Sequence, residues 1–428
     1  MTKSVRGWTV TLASSGINLA LGVLYTWSVF AVALTEDLAW SNMAASLPFA
    51  LACAIIALMV VPGALLQERL GPRWVATLGG VLVGGGLILS SLANSLPILT
   101  FTFGVLGGLG ISLCYSSTTY AAVKWFPDSK KGLISGILIT AFPLASLYLA
   151  PLTNTLIAKY GINGAFRIEG LSFLIVIVLL AQVLAVPFII KFVIPSSENP
   201  NNSGTKPSPL TNQSSQLEAN STSQARNSTS KNLKNYSCRE MLMDGRFYLL
   251  WLMLAAGATT GLMIISQLSI ITKVQTGTSW GFLMVALLAI FNASGRILVS
   301  RISNLMGRNW TMSIFFTLQA INMLTFVLNK SPILLGLGAI ITGLCYGSLL
   351  SLFPSVIYDF FGKKNSRANY GLLFTAWGVG GICGPLIAGT VVDLTNSYFY
   401  AYVIAACLCL LAAFLTIFLK DEPILLWK

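Results

Sequence analysis

The chain has 428 residues, of which 55% are hydrophobic and only 9% charged. Soluble domains carry about 25% charged residues, so this composition excludes an ordinary soluble domain and indicates a membrane protein. The apolar stretches run for about twenty residues, as in 171–190, which predicts spanning helices and not the short alternating strands of a barrel. The net charge of +13 comes from residues between hydrophobic segments, so it indicates membrane topology and not nucleic-acid binding.

Twelve membrane helices are predicted along the chain, and the first is expected to be retained because no small-residue cleavage site follows it. The predicted ranges are 8–34, 43–66, 74–95, 97–123, 131–157, 165–190, 246–271, 279–301, 310–329, 332–358, 367–392 and 398–420. The fold class is therefore an all-α integral membrane protein. Two six-helix bundles, 1–194 and 237–428, flank a Ser- and Asn-rich segment, 195–236, which predicts a flexible cytoplasmic linker.

Lys and Arg residues predict the orientation of the chain. They concentrate on the side that holds both termini and the linker, and few lie on the other side. Under the positive-inside rule both termini are expected in the cytoplasm, with the protein in a bacterial-type inner membrane. Seven cysteines without a C-x-x-C pair, and no histidine, give no metal signature, so neither a metal nor a cofactor is expected.

The two halves resemble each other in sequence. The segment 114–136 in the first half and the segment 345–371 in the second both begin with Cys-Tyr and contain a Lys-Lys turn before a Gly-containing helix. An offset of six helices preserves orientation, so the bundles are expected to be parallel repeats with a substrate site between them near the midplane, as in major facilitator transporters. The turns after helices two and eight are predicted to be gating contacts, through Glu68, Arg69, Gly71, Arg73, Gly307 and Arg308.

Arg296 is the charged residue that stands inside a predicted helix, about two turns from the cytoplasmic end of helix eight. An intramembrane arginine is costly and is a functional-site hypothesis by default, since its planar fork suits a carboxylate. The alternative is that Arg296 extends to the interface beside Arg301. Asn292, one turn earlier, is predicted to orient the guanidinium or the substrate. Three acids, Glu169, Asp359 and Asp393, are expected at the interfaces.

Aromatic residues in helices one, four, ten and eleven complete the predicted site. Tyr25, Tyr115 and Tyr346 can donate hydrogen bonds to a carboxylate and wall off a small cavity, although helix packing explains any single ring equally well. Tyr115 and Tyr346 are expected to lie opposite one another. No buried acid is evident in helices one to five, which favours an anionic over a cationic substrate.

Several phrases together resemble the oxalate/formate antiporter family of the major facilitator superfamily, which is related to the monocarboxylate transporters. They are GVLYTWSVF (22–30), ERLGPR (68–73), KWFPDSKKGLISG (124–136), GRFYLLWLM (245–253), NASGR (292–296) and NYGLLFTAWG (369–378). The resemblance implies that Arg296 is the carboxylate-binding arginine and that Tyr25, Tyr115 and Tyr346 are the site tyrosines. Two departures stand out: Trp377 replaces a lysine of oxalate exchangers, and Asn292 replaces an aspartate of proton-linked carriers.

We therefore expect a secondary active carrier and not an enzyme, with a small carboxylate and the lipid bilayer as partners, no nucleic acid, and a monomeric state. One arginine neutralises one carboxylate, so formate, lactate or pyruvate is favoured over a dicarboxylate. The alternatives are an oxalate or dicarboxylate antiporter, whose second carboxylate binds tyrosine hydroxyls and water, and a non-transporting carboxylate sensor with the same fold. Proton symport, anion exchange and uniport all stay open.

Overall fold

The computed structural model describes residues 3–186 and 235–419, and within these ranges the chain forms helices and no strands. Length and hydropathy alone mark 10 candidate membrane spans in this part of the chain. One of them, Lys130–Ala181, contains two helices because Gly161 interrupts it with a φ of 69°. Arg308–Phe326 packs as a further helix, so the described ranges contain twelve membrane helices, as the sequence predicts.

We number these helices α1 to α12. Helix α1 combines Lys3–Ala20, the 3₁₀ turn Leu21–Thr26 and Trp27–Glu36; α2 is Asn42–Leu70; α3 is Pro72–Ser90; and α4 combines Leu96–Leu99, the π-helical Thr100–Gly107 and Gly108–Val123. Helix α5 begins with Asp128–Leu144 and continues into Ser146–Ala181, which Gly161 divides into the end of α5 and α6. The second half contains α7 (Gly245–Thr276), α8 (Gly281–Met306), α9 (Arg308–Phe326), α10 (Pro332–Phe361), α11 (Ser366–Thr395) and α12 (Phe399–Leu415), after a short helix Cys238–Leu242.

Several predicted helix ends lie more than one turn from those in the structure, and local features explain two of them. Helix α6 stops at Ala181 and not at 190, and the sequence places Pro187 a few residues later, which disfavours helical geometry just before it. Helix α3 stops at Ser90 and not at 95, where the Ser91 hydroxyl donates to the Ile88 carbonyl oxygen at 2.6 Å. Such side-chain bonds compete with the helical backbone pattern.

The predicted linker lies outside the described residues except at its end. Tyr236 is buried, its backbone N–H donates to the Phe361 carbonyl oxygen at 3.0 Å, and the two rings meet edge to face at 5.5 Å. This part of the predicted linker therefore packs against the C-terminal bundle at the end of α10.

Gly71 and Gly307 form matching turns in the two halves. Their φ angles are 85° and 82°, a region in which a Cβ is strained. Each N–H closes the preceding helix, Gly71 on the Gln67 carbonyl oxygen and Gly307 on the Ser303 carbonyl oxygen. The repeated geometry agrees with the internal repeat in the sequence. We call the membrane side that holds these turns the basic face, and the other side the opposite face.

Small residues bring the two halves together along α2 and α11. A Cβ on Gly378 would lie 2.5 Å from the Ala57 Cβ, and one on Gly381 would lie 2.3 Å from the Cys53 Cβ. Without side chains at these glycines, the two backbones approach closely. Helices α5 and α8, and α1 and α7, form further contacts between the halves.

Polar contacts between the halves close the opposite face. Ser28 in α1 bonds Ser269 in α7 at 3.0 Å, and Gln267 Nε2 donates to Ser46 Oγ at 2.6 Å. Lys273 pairs with Glu36 at the same face. Asp393 of α11 accepts hydrogen bonds from the backbone N–H groups of Asn42 and Met43 of α2 at this face. We call these contacts together the opposite-face clamp.

The three acids expected at the interfaces have different surroundings. Asp359 is partly exposed and pairs with Arg308, and Asp393 lies at the exposed end of α11. Glu169 is 2% exposed, so the expectation of an interfacial position was wrong for this residue. The predicted helix six, 165–190, begins just before Glu169, and the expectation of an interfacial position followed from that start. The turn at Gly161 comes earlier and leaves Glu169 two turns inside α6.

Candidate functional site

Arg296 lies in the interior of the molecule, between the two halves. It is 7% exposed, and its Nη1 donates to the Ile139 carbonyl oxygen of α5 at 2.9 Å. Its Nε donates to Asn292 Oδ1 at 3.2 Å. The side chain therefore contacts the N-terminal half and does not extend along α8 to the basic face, where Arg301 is exposed.

Asn292 is fully buried one helical turn before Arg296. Residues four apart lie on the same face of a helix, which brings the amide beside the guanidinium. Because Oδ1 accepts a hydrogen bond from Arg296, the amide nitrogen Nδ2 is the donor atom that points away from the guanidinium Nε. That Nδ2 atom is buried and has no hydrogen-bond partner among the described residues. A buried unpaired donor is costly, so it is a candidate contact for a bound acceptor.

Tyr25 reaches the same place from the N-terminal half. It lies in the 3₁₀ turn of α1, is 3% exposed, and its hydroxyl is next to Asn292 and Tyr346. Its ring meets that of Phe142 in α5 edge to face at 5.2 Å. The turn therefore brings a phenolic donor of one half against an amide and a phenol of the other.

Tyr115 and Tyr346 both join this cluster but in different environments. Tyr346 is 1% exposed and accepts a hydrogen bond from the Trp377 Nε1 at 2.7 Å. Tyr115 is half-buried, lies within electrostatic range of Arg296 and Tyr25, and has its ring 5.8 Å from that of Phe142. The two tyrosines are related by the repeat, yet only Tyr346 is fixed by a second side chain here.

Trp377 is buried on α11 with its one donor used inside the protein. Its ring stacks on Phe374 at 5.0 Å and 10°. Its indole N–H, the one hydrogen-bond donor of the side chain, donates to the Tyr346 hydroxyl. Trp377 therefore orients a site tyrosine and supplies an apolar wall.

Sequence reasoning did not single out Tyr370, Phe374 and Phe142. Tyr370 lies within electrostatic range of Arg296 and Tyr115, and its ring is 5.8 Å from Phe374. Positions 370, 374 and 377 fall on one face of α11 by helical spacing, a signal that could have been read beside Trp377. Phe142 gave no comparable signal, because its contacts with Tyr25 and Tyr115 depend on tertiary packing.

The cluster of Arg296, Asn292, Tyr25, Tyr115, Tyr346, Tyr370 and Trp377, which we call the central cluster, is suited to bind an anion. Arg296 is the one charged residue in it. The contacts within the described residues use Nε and Nη1 of the guanidinium, so Nη2 has hydrogens for a ligand. Charge-assisted bonds in a buried site are stronger than neutral ones.

The predicted gating turns lie on the basic face. Arg308 donates from Nε to Asp359 Oδ2 at 2.8 Å and from Nη1 to Ser303 Oγ at 2.6 Å, all within the C-terminal half. Glu68 lies 3.8 Å from Arg367 of α11, and this exposed pair joins the two halves.

Arg69 and Arg73 of the first turn are exposed. The turn after α2 thus supplies an ion pair between the two halves, Glu68 with Arg367. The turn after α8 supplies a shorter ion pair within the C-terminal half, Arg308 with Asp359. The gating role of the two turns stays a prediction.

The described residues contain no group of three or more His, Cys, Asp or Glu side chains that could hold a metal ion. The central cluster itself offers a guanidinium, an amide and phenols, which are donors for an anion and poor ligands for a metal cation.

The model of one family matches residues 12–308 and 275–427, nearly the whole chain. The chain belongs to the Major Facilitator Superfamily. It is therefore a multi-pass membrane transporter and not an enzyme, as expected from its composition and internal repeat.

Relatives of similar length agree with this assignment. The chain is 27% identical over 372 residues to the oxalate:formate antiporter of Oxalobacter formigenes, covering 85% of this chain and 79% of that protein. It is 26% identical over 386 residues to the uncharacterized MFS-type transporter YhjX of Escherichia coli, covering 88% and 86%. Monocarboxylate transporter 9 of Rattus norvegicus is 34% identical over a shorter stretch of 172 residues, 38% of this chain and 32% of that one.

The fold has counterparts among solved structures. A bacterial homologue of the human lysosomal transporter Spinster, in an inward-facing and occupied conformation, matches with a TM-score of 0.71 over 97% of this chain and 96% of the other. At 14% identity this likeness shows the fold alone.

Proposed function

We propose that this transporter carries small monocarboxylates of the formate, lactate or pyruvate type across the cell's inner membrane by alternating access. The observation that carries the proposal is the buried guanidinium of Arg296, held between the halves with Nη2 available and a partnerless Asn292 Nδ2 beside it. Together these donors match the two oxygens of one carboxylate.

The charge of the central cluster favours one carboxylate over two. Arg296 balances one negative charge, and a second buried carboxylate without a cation is strongly disfavoured. The position that faces Tyr346 from α11 carries the neutral ring of Trp377. A dicarboxylate is the second candidate, since the phenols of Tyr25, Tyr115 and Tyr370 surround Arg296 and one relative is named as an oxalate:formate antiporter.

The distribution of contacts between the halves supports alternating access. The opposite-face clamp seals one side, whereas the basic face has the exposed pair of Glu68 and Arg367 at 3.8 Å. A carrier whose halves rock about the central cluster exchanges one set of contacts for the other.

Two measurements on purified protein test the proposal. In proteoliposomes, saturable counterflow of a labelled monocarboxylate is expected, and binding without flux would favour the sensor instead. In a thermal-shift screen, monocarboxylates are expected to stabilise the protein more than oxalate does, because ligands that bind the native state raise its apparent stability.

A Trp377→Lys variant provides the matched comparison for the same screen. The added ammonium supplies a partner for a second carboxylate, so stabilisation is expected to shift towards oxalate. Strong stabilisation of the unmodified protein by oxalate would overturn the argument for a single charge.

A further inference from the structure

The carboxyl group of Glu169 is buried inside the N-terminal half, apart from the central cluster. Thr153 Oγ1 of α5 donates to its Oε1 at 2.5 Å. Its Oε2 is buried and has no hydrogen-bond partner among the described residues. With 2% of the residue exposed, an ionised carboxylate here would be largely desolvated and held by a single neutral donor, which strongly favours the protonated form.

Glu169 lies about two helical turns into α6. Thr153 precedes the Gly161 turn by eight residues and Glu169 follows it by eight. At 1.5 Å of rise per residue both are about 12 Å along their helices from that turn. Buried ionisable residues in the helices of a membrane protein are functional-site hypotheses by default.

Among the residues that the structure describes, Glu169 forms no ion pair. On α5, Tyr148 is the titratable group whose hydroxyl interacts electrostatically with it, and Arg167 on its own helix is exposed. The residues of other helices that contact Phe166 and Gly170, on either side of Glu169 in the sequence, do not titrate: they include Phe30 of α1 and Gly84 and Leu87 of α3. Arg296 and Tyr25 contact α5 at Ile139 and Phe142, more than ten residues before Thr153.

A cavity of about 220 Å³ opens at the opposite face near this pair. Its walls come from α1, α5, α7 and α8, and they include Asn154, the residue next to Thr153. Glu36, Asp37 and Lys273 are the charged residues in its lining. The cavity lining therefore includes the residue that follows Thr153 in the sequence.

We propose that Glu169 is a proton-binding site that couples proton movement to anion transport, an inference that rests on the proposed monocarboxylate function. When the opposite face is open, water from the cavity reaches the carboxylate and Oε2 takes up a proton. Closing the opposite-face clamp buries the group, which requires its neutral form. The anion occupies the central cluster in the same step.

The cycle balances in atoms and charge. One O–H bond forms on Glu169 Oε2 at one face and breaks at the other, and no electrons are transferred. One proton moves with one monoanion, so transport is electroneutral. At equilibrium a difference of one pH unit then supports an accumulation of about tenfold.

Two assays on the same proteoliposomes test the inference with Glu169→Gln, a neutral isostere of the protonated acid. Counterflow exchanges labelled for unlabelled monocarboxylate and needs no net proton transfer, whereas net uptake driven by a pH gradient does. With passive flux into protein-free vesicles subtracted, the variant is expected to keep counterflow and to lose the roughly tenfold accumulation per pH unit. Glu240→Gln, an acid in the short helix before α7, is the matched control and is expected to keep both activities.

The outcomes separate this inference from the function on which it rests. Failure of the unmodified protein in counterflow would overturn the proposed function. Normal counterflow together with normal gradient-driven accumulation in Glu169→Gln would overturn the proton site alone. Should the variant lose both activities, Glu169→Asp decides: restored accumulation with luminal proton uptake supports the site, and failure to restore it overturns the proposal.

Discussion

The indole Nε1 of Trp377 donates a 2.7 Å hydrogen bond to the hydroxyl of Tyr346, between helices α11 and α10 of the same half. Both side chains are buried, at 3% and 1% exposure. The bond uses the donor of the indole and leaves the phenolic proton of Tyr346 for another acceptor. Tyr25 lies next to that hydroxyl, so Trp377 fixes one side of the contact between the two halves.

Replacing Trp377 with phenylalanine is expected to weaken substrate binding while keeping the apolar wall. A neutral hydrogen bond contributes about 1 kcal/mol, so the half-saturating substrate concentration in counterflow should rise about fivefold. Trp251→Phe is the matched control, since its Nε1 donates to Thr375 Oγ1 at 2.9 Å between α7 and α11, outside the central cluster. Equal effects of the two substitutions would contradict a positioning role for Trp377.

Arg296→Ala is expected to abolish binding with little loss of folded protein, because no other cation lies in the central cluster. Arg296→Lys should be largely inactive, since a point ammonium does not reproduce the planar guanidinium that bonds Asn292 and the Ile139 carbonyl oxygen while Nη2 binds a ligand. A charge-assisted bond from Nη2 is worth about 1.5–3 kcal/mol, so its loss alone weakens binding about tenfold to a hundredfold, and the unbalanced charge of the buried anion weakens it further. Isothermal titration of purified protein with monocarboxylates measures this loss.

The control for this prediction is Arg301→Ala. Arg301 lies on the same helix and is exposed, so its removal changes the net charge equally without touching the central cluster. Normal uptake by Arg296→Ala, or equal losses in the two variants, would contradict the binding role of Arg296.

Asp393→Asn is expected to loosen the opposite-face clamp. The Asp393 carboxylate accepts from the backbone N–H groups of Asn42 and Met43 at 2.8 and 2.9 Å, and from Asn42 Nδ2 at 2.9 Å. It thus caps the start of α2 from the other half, where a negative charge is worth up to about 1 kcal/mol. Opening of this face should become up to about fivefold more frequent.

Accessibility of a reporter thiol measures this opening. Ser269→Cys places the thiol at the contact with Ser28, and its labelling by a water-soluble maleimide should accelerate in the Asp393→Asn background. Asp37→Asn removes an exposed charge at the same face and should leave the labelling rate unchanged. An unchanged rate in Asp393→Asn would argue against the capping contact as a restraint.

Both termini and the segment 195–236 are expected in the cytoplasm. The prediction rests on the basic residues of the face that holds the Gly71 and Gly307 turns. A reporter active only in the cytoplasm should work when fused within 195–236, and it should be silent when inserted at Ser397 in the α11–α12 turn. The reverse pattern would invert the orientation of the whole molecule.

Hydropathy and the internal repeat were sufficient to predict the helical architecture, because spanning a bilayer dictates long apolar helices. The C-terminal ends of helices α3 and α6 were less predictable, because the Ser91 hydroxyl bond and the proline at position 187 of the sequence act locally within apolar stretches. The Gly161 turn lies within the predicted loop 158–164, but helix six begins before the predicted residue 165. That error hid the burial of Glu169.

Within the central cluster, the charged residue was the easiest to find. Arg296 stood out because a cation inside an apolar helix is expensive. Phe142 and Tyr370 were missed because aromatic residues are common in membrane helices, and only the packing of α5 and α11 brings these two towards Arg296 and Tyr115. The use of the Trp377 N–H within the protein likewise depends on a rotamer that sequence does not specify.

The 3₁₀ turn Leu21–Thr26 contains Tyr25, so the contact residue and the local irregularity of α1 are the same few amino acids. Such a turn has poorer hydrogen-bond geometry than the flanking α-helix and is a natural point of bending. A ligand that draws the Tyr25 hydroxyl towards Arg296 therefore acts on the bend itself, without a relay through intervening side chains. Reciprocity then requires that any condition that straightens this turn, including a change of lipid thickness or lateral pressure, also changes the affinity for the ligand.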